Sequence, residues 1–149
     1  MRIRQITENK KEYLDLLLLA DEQEDMIDRY LEKGEMFVLE DPEVVGECVV
    51  CDLGGGIFEL KNLAIDPNRQ KQGLGRMLID FVCEHYRGRC RQLLVGTGDS
   101  PLTVPFYRRC GFTEHHRVKN FFTDNYDHPM FEAGVQLVDM VYFERRFDL

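Results

Sequence analysis

The stretch "LAIDPNRQKQGLGRML", Leu63 to Leu78, runs from an apolar segment through Asp66-Pro67-Asn68 into a cationic, glycine-punctuated turn. Beyond it, Leu74, Met77, Leu78, Phe81, Val82 and His85 recur at helical spacing. That periodicity predicts a helix from Gly73 to about Tyr86, closed by Arg87 and Gly88. The first N–H groups of a helix have no partner inside it, and the helix dipole makes that end positive. Gly73 and Gly75 leave the backbone bare at this point, while Arg69, Lys71 and Arg76 add cationic side chains. Bare amides, a positive dipole and cations together suit a pyrophosphate. Two familiar nucleotide loops do not fit, however. Leu78 stands where a dinucleotide fold would carry its third Gly or Ala, and G-x-x-x-x-G-K-[ST] is absent.

Upstream, "EMFVLE", "EVVGECVVCDL" and "GIFELKNLAID" read as three strands of an antiparallel meander. Asp41-Pro42 and Gly54-Gly55-Gly56 supply the turns between them. In the third strand Phe58 and Leu60 alternate with Glu59 and Lys61, but Leu63, Ala64 and Ile65 are apolar without a break. Such a change of phase inside one strand predicts a bulge near Lys61 to Leu63. Before the strands, Thr7 is the expected N-cap of a helix running to Ala20, and a second helix covers Glu22 to Lys33 with Gly34 as its C-terminal cap. Downstream come a strand in "RQLLVGTG", a short helix in "PLTVPFYRRC", a strand in "GFTEHHRVKNFF", a loop from Tyr126 to Gly134 and a final strand in "VQLVDMVYFERRF". The order is α-α-β-β-β-α-β-α-β-β. It predicts an α/β class with a mixed sheet covered by helices, in one domain spanning 1–149.

The composition is that of a soluble globular chain, 44% hydrophobic and 31% charged, with no apolar run long enough to span a bilayer and no apolar core behind the N-terminal charges. A net charge of −8 argues against nucleic acid as a partner. Five cysteines, an odd number without a secretion signal, point to a reducing cytoplasm. Cys48 and Cys51 form a lone C-x-x-C without a second pair at metal spacing, so buried thiols and no metal are expected.

Gln70-Lys71-Gln72-Gly73-Leu74-Gly75 matches Q/R-x-x-G-x-G/A in full, and "PFYRRCGF", Pro105 to Phe112, resembles a second segment, F-Y-x-x-x-G-F. On these two segments, each on the expected element, the chain resembles the GCN5-related N-acetyltransferase (GNAT) superfamily. The resemblance is good from Gly46 to Phe112 and elsewhere rests on element order. It implies acetyl-coenzyme A as cosubstrate, a mostly antiparallel twisted sheet with a splayed parallel strand pair, and a coenzyme lying in the V-shaped opening of that pair. By position, the backbone of Leu63, Ala64 and Ile65 would meet the pantetheine arm, and that of Gln70, Lys71, Gln72, Gly73, Leu74, Gly75 and Arg76 the pyrophosphate.

Acetyl transfer to an amine requires loss of an amine proton, polarisation of the thioester and neutralisation of the leaving thiolate. The resemblance places Tyr107 where the family's general acid meets the coenzyme sulfur, and Glu59 where the histone-acetylating branch carries a glutamate base. Asp99 stands where an Asn is usual; with Ser100-Pro101 it reads as a cap for the short helix. His115 and His116, adjacent on a strand, should point to opposite faces. The segment from Asp21 to Glu35 carries seven acidic against two basic residues, an acidic rim suited to a cationic primary amine of a small metabolite or a protein. Tyr126, Asp127 and His128 could line the acceptor pocket. Three other readings stay open. One is a non-catalytic coenzyme A-binding module and another is a protein N-terminal or lysine acetyltransferase. The third is an interaction domain whose last strand, apolar on one face, pairs with a partner, which is compatible with a homodimer.

Overall fold

The computed structural model describes all residues, Met1 to Leu149. They form two compact units, Met1–Cys90 and Arg91–Leu149.

In the first unit, strands β1 (Arg2–Ile6), β2 (Glu35–Glu40), β3 (Val44–Gly54) and β4 (Ile57–Ile65) lie side by side in that order, each antiparallel to its neighbour. The last three are the meander expected from the sequence. β1 is not, because its short, arginine-rich run carries no clear alternation; it holds to β2 partly through Arg2 and Arg4, which both bond the Glu40 carboxylate. The first helix is correspondingly shorter than expected. Asn9 takes a left-handed conformation, a 3-10 turn follows over Lys10–Tyr13, and α1 covers only Leu14–Ala20.

The second expected helix is regular only over Glu24–Ile27 (α2) and continues as turns. These turns close on a buried lysine. Lys10 Nζ donates to the carbonyls of Leu31, Glu32 and Gly34 at 3.0, 3.2 and 2.7 Å, so its charge meets three oxygens instead of water. Gly34 is therefore not a left-handed cap. It is required by close approach, since a Cβ there would sit 2.6 Å from Val49 Cγ1.

The register places the bulge at Lys61. Val49 pairs with Asn62 and Val50 with Leu60, leaving Lys61 unopposed. Glu59, Asn62 and Ala64 consequently share a face with Cys51, Val49 and Glu47 of β3. That face packs under α1 and α2 in a cluster of Leu17, Ile27, Tyr30, Leu31, Met36, Val38 and Val49. Full burial of each such aliphatic side chain contributes about 1.5–3 kcal/mol. The opposite face carries α3 (Leu74–His85), with Phe37 edge-on to Phe81 at 5.1 Å and Phe58 tilted against Tyr86 at 4.5 Å.

In the second unit, β9 (Met140–Arg146) runs between β5 (Gln92–Gly98) and β6 (Thr113–Val118), antiparallel to both. Both edges of β9 are occupied, so the last strand offers no free edge to a partner. Helix α4 spans Thr103–Arg109. The strand expected through Phe122 ends at Val118; Asn120, left-handed, opens α5 (Phe121–Asn125). A third of the expected loop from Tyr126 to Gly134 is strand β7 (Met130–Glu132), which pairs with β8 (Val135–Leu137) across a tight turn at Ala133 and Gly134. The hairpin has its own small core of Phe122, Met130 and Leu137.

Candidate active site

Past the bulge, Leu63, Ala64 and Ile65 pair with Cys48, Glu47 and Gly46. Gly46 is needed for this approach, as a Cβ there would meet Ile65 Cδ1 at 2.7 Å. β4 then stops. The Asp66 side chain accepts from the Asn68 amide at 2.9 Å, and Pro67 starts a 3-10 turn through Arg69. Gln70 Nε2 reaches back to the Ile65 carbonyl at 3.1 Å, joining loop to strand.

From Gln70 to Gly73 the chain is exposed. Lys71 and Gly73 both have positive φ, 62° and 79°. A Cβ on Gly73 would find nothing within 4 Å, so the space above this backbone is open. The first rung of α3 is the Met77 amide to the Gly73 carbonyl at 3.0 Å; the amides of Leu74 and Gly75 precede it and lie at the positive end of the helix. This exposed, glycine-lined backbone at a helix head fits a diphosphate. One sequence expectation is corrected here. Arg69 is not a free cation, because its guanidinium bonds the Asp41 carboxylate at 2.7 Å and the Asp41 carbonyl at 3.2 Å, tying the loop to the β2–β3 turn. Arg69 also holds the Asp41 carboxyl below the usual carboxylate range. Lys71 remains, with Arg76 in a long, exposed pair with Asp80 at 3.9 Å.

Glu59 is buried, only 9% exposed, and its carboxylate pairs with Lys61 Nζ at 3.3 Å. The same ammonium lies 5.5 Å from the centre of the Tyr30 ring. Glu59 thus faces the α1–α2 side, together with Asn62. Asn62 was invisible as a functional candidate in the sequence. Its Nδ2 donates to the Leu17 carbonyl at 3.1 Å and to Tyr30 Oη at 3.0 Å, and Tyr30 Oη donates to Asp21 at 3.1 Å. Burial, then the Asp21 charge, push the Tyr30 phenol well up, so it stays a donor. Glu47 is a second missed residue: a carboxyl with no exposure, raised well above the usual range by burial. The acidic rim is partly neutralised, for Lys11 bonds both Glu24 and Asp28, at 2.6 and 2.7 Å.

In the second unit, Tyr107 is buried on α4, its ring among those of Phe106, Phe112 and Phe143 at 5.1, 5.8 and 6.3 Å. Gly111, at φ 89°, turns the chain after α4 into the strand that begins at Thr113. Asp99 is not the cap of this helix. It pairs with Arg117 at 2.8 Å, while Ser100 Oγ accepts from the amides of Leu102 and Thr103 at 3.1 and 3.3 Å. The histidines also depart from expectation. Glu114 pairs with Phe143 and His116 with Tyr142, so His115 is a bulged residue. That brings the two Nδ1 atoms to 2.7 Å, with His116 stacked on Tyr142 at 4.5 Å. Tyr126 stacks on Phe122 at 5.5 Å, and His128 bonds the neighbouring Asp127.

Residues 32–114 match a family profile described as an acetyltransferase (GNAT) domain. An uncharacterized N-acetyltransferase of Bacillus subtilis, YvbK, is 34% identical over 144 residues, 95% of this chain and 93% of the relative. Among solved structures, a GNAT family acetyltransferase from Elizabethkingia anophelis with acetyl-CoA bound superposes with a TM-score of 0.91 at 32% identity, covering 98% of this chain and 97% of that one. A Bacillus subtilis acetyltransferase in complex with CoA gives 0.88 at 33% identity, covering 98% of each. The mixed α/β class expected from the sequence is the fold of these neighbours.

Proposed function

Because the chain belongs to the GNAT family of N-acetyltransferases, we propose that it moves the acetyl group of acetyl-coenzyme A to the primary amine of a small cationic metabolite. The observation that carries this reading is the loop from Gln70 to Gly75. Gln70 to Gly73 are exposed, Gly73 is left-handed with open space above it, and the loop heads a twelve-residue helix after a bulged strand. The pyrophosphate is held by backbone amides and Lys71, and the pantetheine arm by the backbone of Leu63 to Ile65. Arg69 acts indirectly, fixing the loop through Asp41.

In the reaction the amine nitrogen attacks the thioester carbon, the carbon–sulfur bond breaks, and the amine proton leaves. Glu59 takes that proton and Tyr107 supplies one to the departing thiolate. Tyr107 has the aromatic, water-poor surroundings that suit a phenol acting as an acid. A cationic acceptor is supported by the exposed Glu22 and Asp25 in the α1–α2 segment. Five cysteines outside any disulfide, four of them buried, support a reducing cytoplasmic setting.

The test combines calorimetric titration with acetyl-coenzyme A and thiol release over a panel of polyamines, aminosugars, free lysine and peptide N-termini. Saturable binding and turnover with at least one cationic small amine are expected. Tyr107→Phe should keep coenzyme affinity and lose about 10²-fold in kcat. Binding without turnover on any amine would leave a coenzyme-binding module; turnover on peptides alone would move the acceptor class to proteins.

A further inference from the structure

Glu47 sits on β3 with no solvent exposure, and neither carboxyl oxygen has a hydrogen-bond partner. No cation's charge registers at it. The third buried side-chain polar atom without a partner is Asn62 Oδ1. All three are acceptors. The register explains why they belong together. Glu47 pairs with Ala64, and Val49, two residues on, pairs with Asn62, so Glu47 and Asn62 are diagonal neighbours on one face. Side chains in that relation are roughly 7–8 Å apart at their backbones, within reach of each other. An unpaired carboxylate is far costlier to bury than a neutral acid. Two facing acceptors with no donor between them are both satisfied by one proton.

We propose that Glu47 is a neutral carboxylic acid in the folded protein, that its O–H donates to Asn62 Oδ1, and that it is a positioning residue for the bulged strand. The bond completes a chain in which Asn62 donates to Tyr30 and Tyr30 to Asp21, and in which Asn62 also holds the Leu17 carbonyl of α1. Asn62 is the residue next to the bulged Lys61 and directly precedes Leu63, so its tether fixes where the strand resumes. The groups around Glu47 agree. Across the sheet it meets Val38 of β2 and Ala64 of β4. The helical layer adds Leu17 and Tyr30, with Asp21 behind Tyr30. Cys48, next on its own strand, lies on the opposite face and is a thiol pushed up by burial. Lys61 pairs with Glu59 instead. The far end of the chain therefore meets two charges, the negative Asp21 bonded to Tyr30 and the Lys61 ammonium 5.5 Å from the centre of the Tyr30 ring. Burial drives Glu47 well above the ordinary carboxylate range; the nearby Ala64 backbone opposes this without making a hydrogen bond of good geometry.

The protonation arm is independent of the catalytic reading; the positioning arm rests on it. A folded-state pKa above the unfolded one means that the folded chain holds the extra proton, so Glu47 stabilises most at acid pH and less as pH rises from the ordinary carboxylate range upward. Glu47→Gln keeps a donor for Asn62 and has no proton to lose. Its stability, from urea unfolding between pH 5 and 8, is expected to match wild type at pH 5 and exceed it at pH 8. Infrared spectroscopy of wild type should show a buried carboxylic acid band absent from Glu47→Gln. A variant that fails to fold at pH 5, or a missing band, overturns the protonated state. For positioning, Glu47→Gln should retain kcat/KM at pH 7 within about two-fold, while Glu47→Leu, which orphans Asn62, should lose about ten-fold or more, mostly in kcat. Glu47→Gln that folds but cannot turn over would make the carboxylate itself the base and overturn the proposal. Glu47→Leu with lowered stability but unchanged kcat/KM would overturn positioning. If wild type acetylates no amine, the functional reading fails while the unfolding and infrared measurements still decide the proton.

Discussion

Two strands of this protein contain the same device. β4 carries one extra residue at Lys61, β6 one at His115, each set into an antiparallel pair. Their surroundings differ completely. After Lys61 the next side chain, Asn62, is 3% exposed and bonded to α1 and to Tyr30. Every residue of β6 is exposed, and what its bulge brings together is a pair of imidazoles. A bulge in a buried strand decides which side chains enter which core; a bulge on an exposed strand decides only which surface groups meet.

Removing the extra residue from each strand tests that contrast directly. Deleting Lys61 removes the bulge and leaves Asn62 and Ala64 opposite Val49 and Glu47, on the faces they already hold. What is lost is the Lys61 ammonium, which leaves the buried Glu59 carboxylate without that cation. A loss of about 3–5 kcal/mol in urea unfolding is expected from breaking that pair. Deleting His115 should cost about 1 kcal/mol, because it takes only an exposed side chain from a wet strand. Equal costs would erase the distinction.

A milder break keeps the bulge and removes its tether. Asn62→Leu removes two hydrogen bonds from a dry cluster, leaving the Leu17 carbonyl to the Asp21 amide and the Tyr30 hydroxyl to the Asp21 carboxylate. Each hydrogen bond lost costs about 0.5–1.5 kcal/mol, so a destabilisation of about 1–3 kcal/mol is expected in the same measurement. A change under about 0.5 kcal/mol would mean that the tether carries nothing.

The contrast also explains what the sequence disclosed. The Lys61 bulge was legible because a buried strand writes its phase into apolar residues: Phe58 and Leu60 in one phase, Leu63 and Ile65 in the next. The glycine turn was legible for a related reason, since Gly73 and Gly75 precede an uninterrupted helical pattern. The bulge at His115 left no trace, for "TEHHRV" is polar on both faces and has no phase to break. β1 was missed likewise. The β7–β8 hairpin was hidden because its two three-residue strands are too short to show a period. Within the site, residue types suggested Glu59 and Tyr107, but Glu47 and Asn62 read as ordinary strand polars. Only the register brings them onto one face. The Arg69–Asp41 tether joins residues 28 positions apart that nothing local connects.

The loop that follows β4 sharpens the comparison from the functional side. Gly73→Ala must hold a Cβ at φ 79°, which costs about 1 kcal/mol of stability. Because that Cβ meets nothing within 4 Å, no further packing loss is expected in the protein alone. A bound diphosphate would meet it, so affinity for coenzyme A by calorimetry should fall by about ten-fold or more, beyond the loss of stability. Unchanged affinity would place the diphosphate elsewhere. The tether from Arg69 responds to acid. Asp41 has its pKa lowered in the folded state, so its contribution is present above the ordinary carboxylate range and is lost as pH falls through the lowered value. Coenzyme affinity should weaken over that acid window, and Asp41→Asn should show the weakened value at neutral pH.

The smallest effect belongs to the exposed bulge. His115 and His116 face each other through their Nδ1 atoms, which requires a proton on one ring and a lone pair on the other. Water can replace that bond at little cost, since both side chains are exposed. The stack of His116 on Tyr142 adds contact area, though on the wet side of the sheet. His116→Ala is therefore expected to change stability by no more than about 0.5 kcal/mol and to leave kcat/KM within about two-fold. A larger fall in kcat/KM with stability intact would show that the bulge on β6, like the one on β4, places a group that the reaction uses, and the two bulges would then differ in exposure but not in purpose.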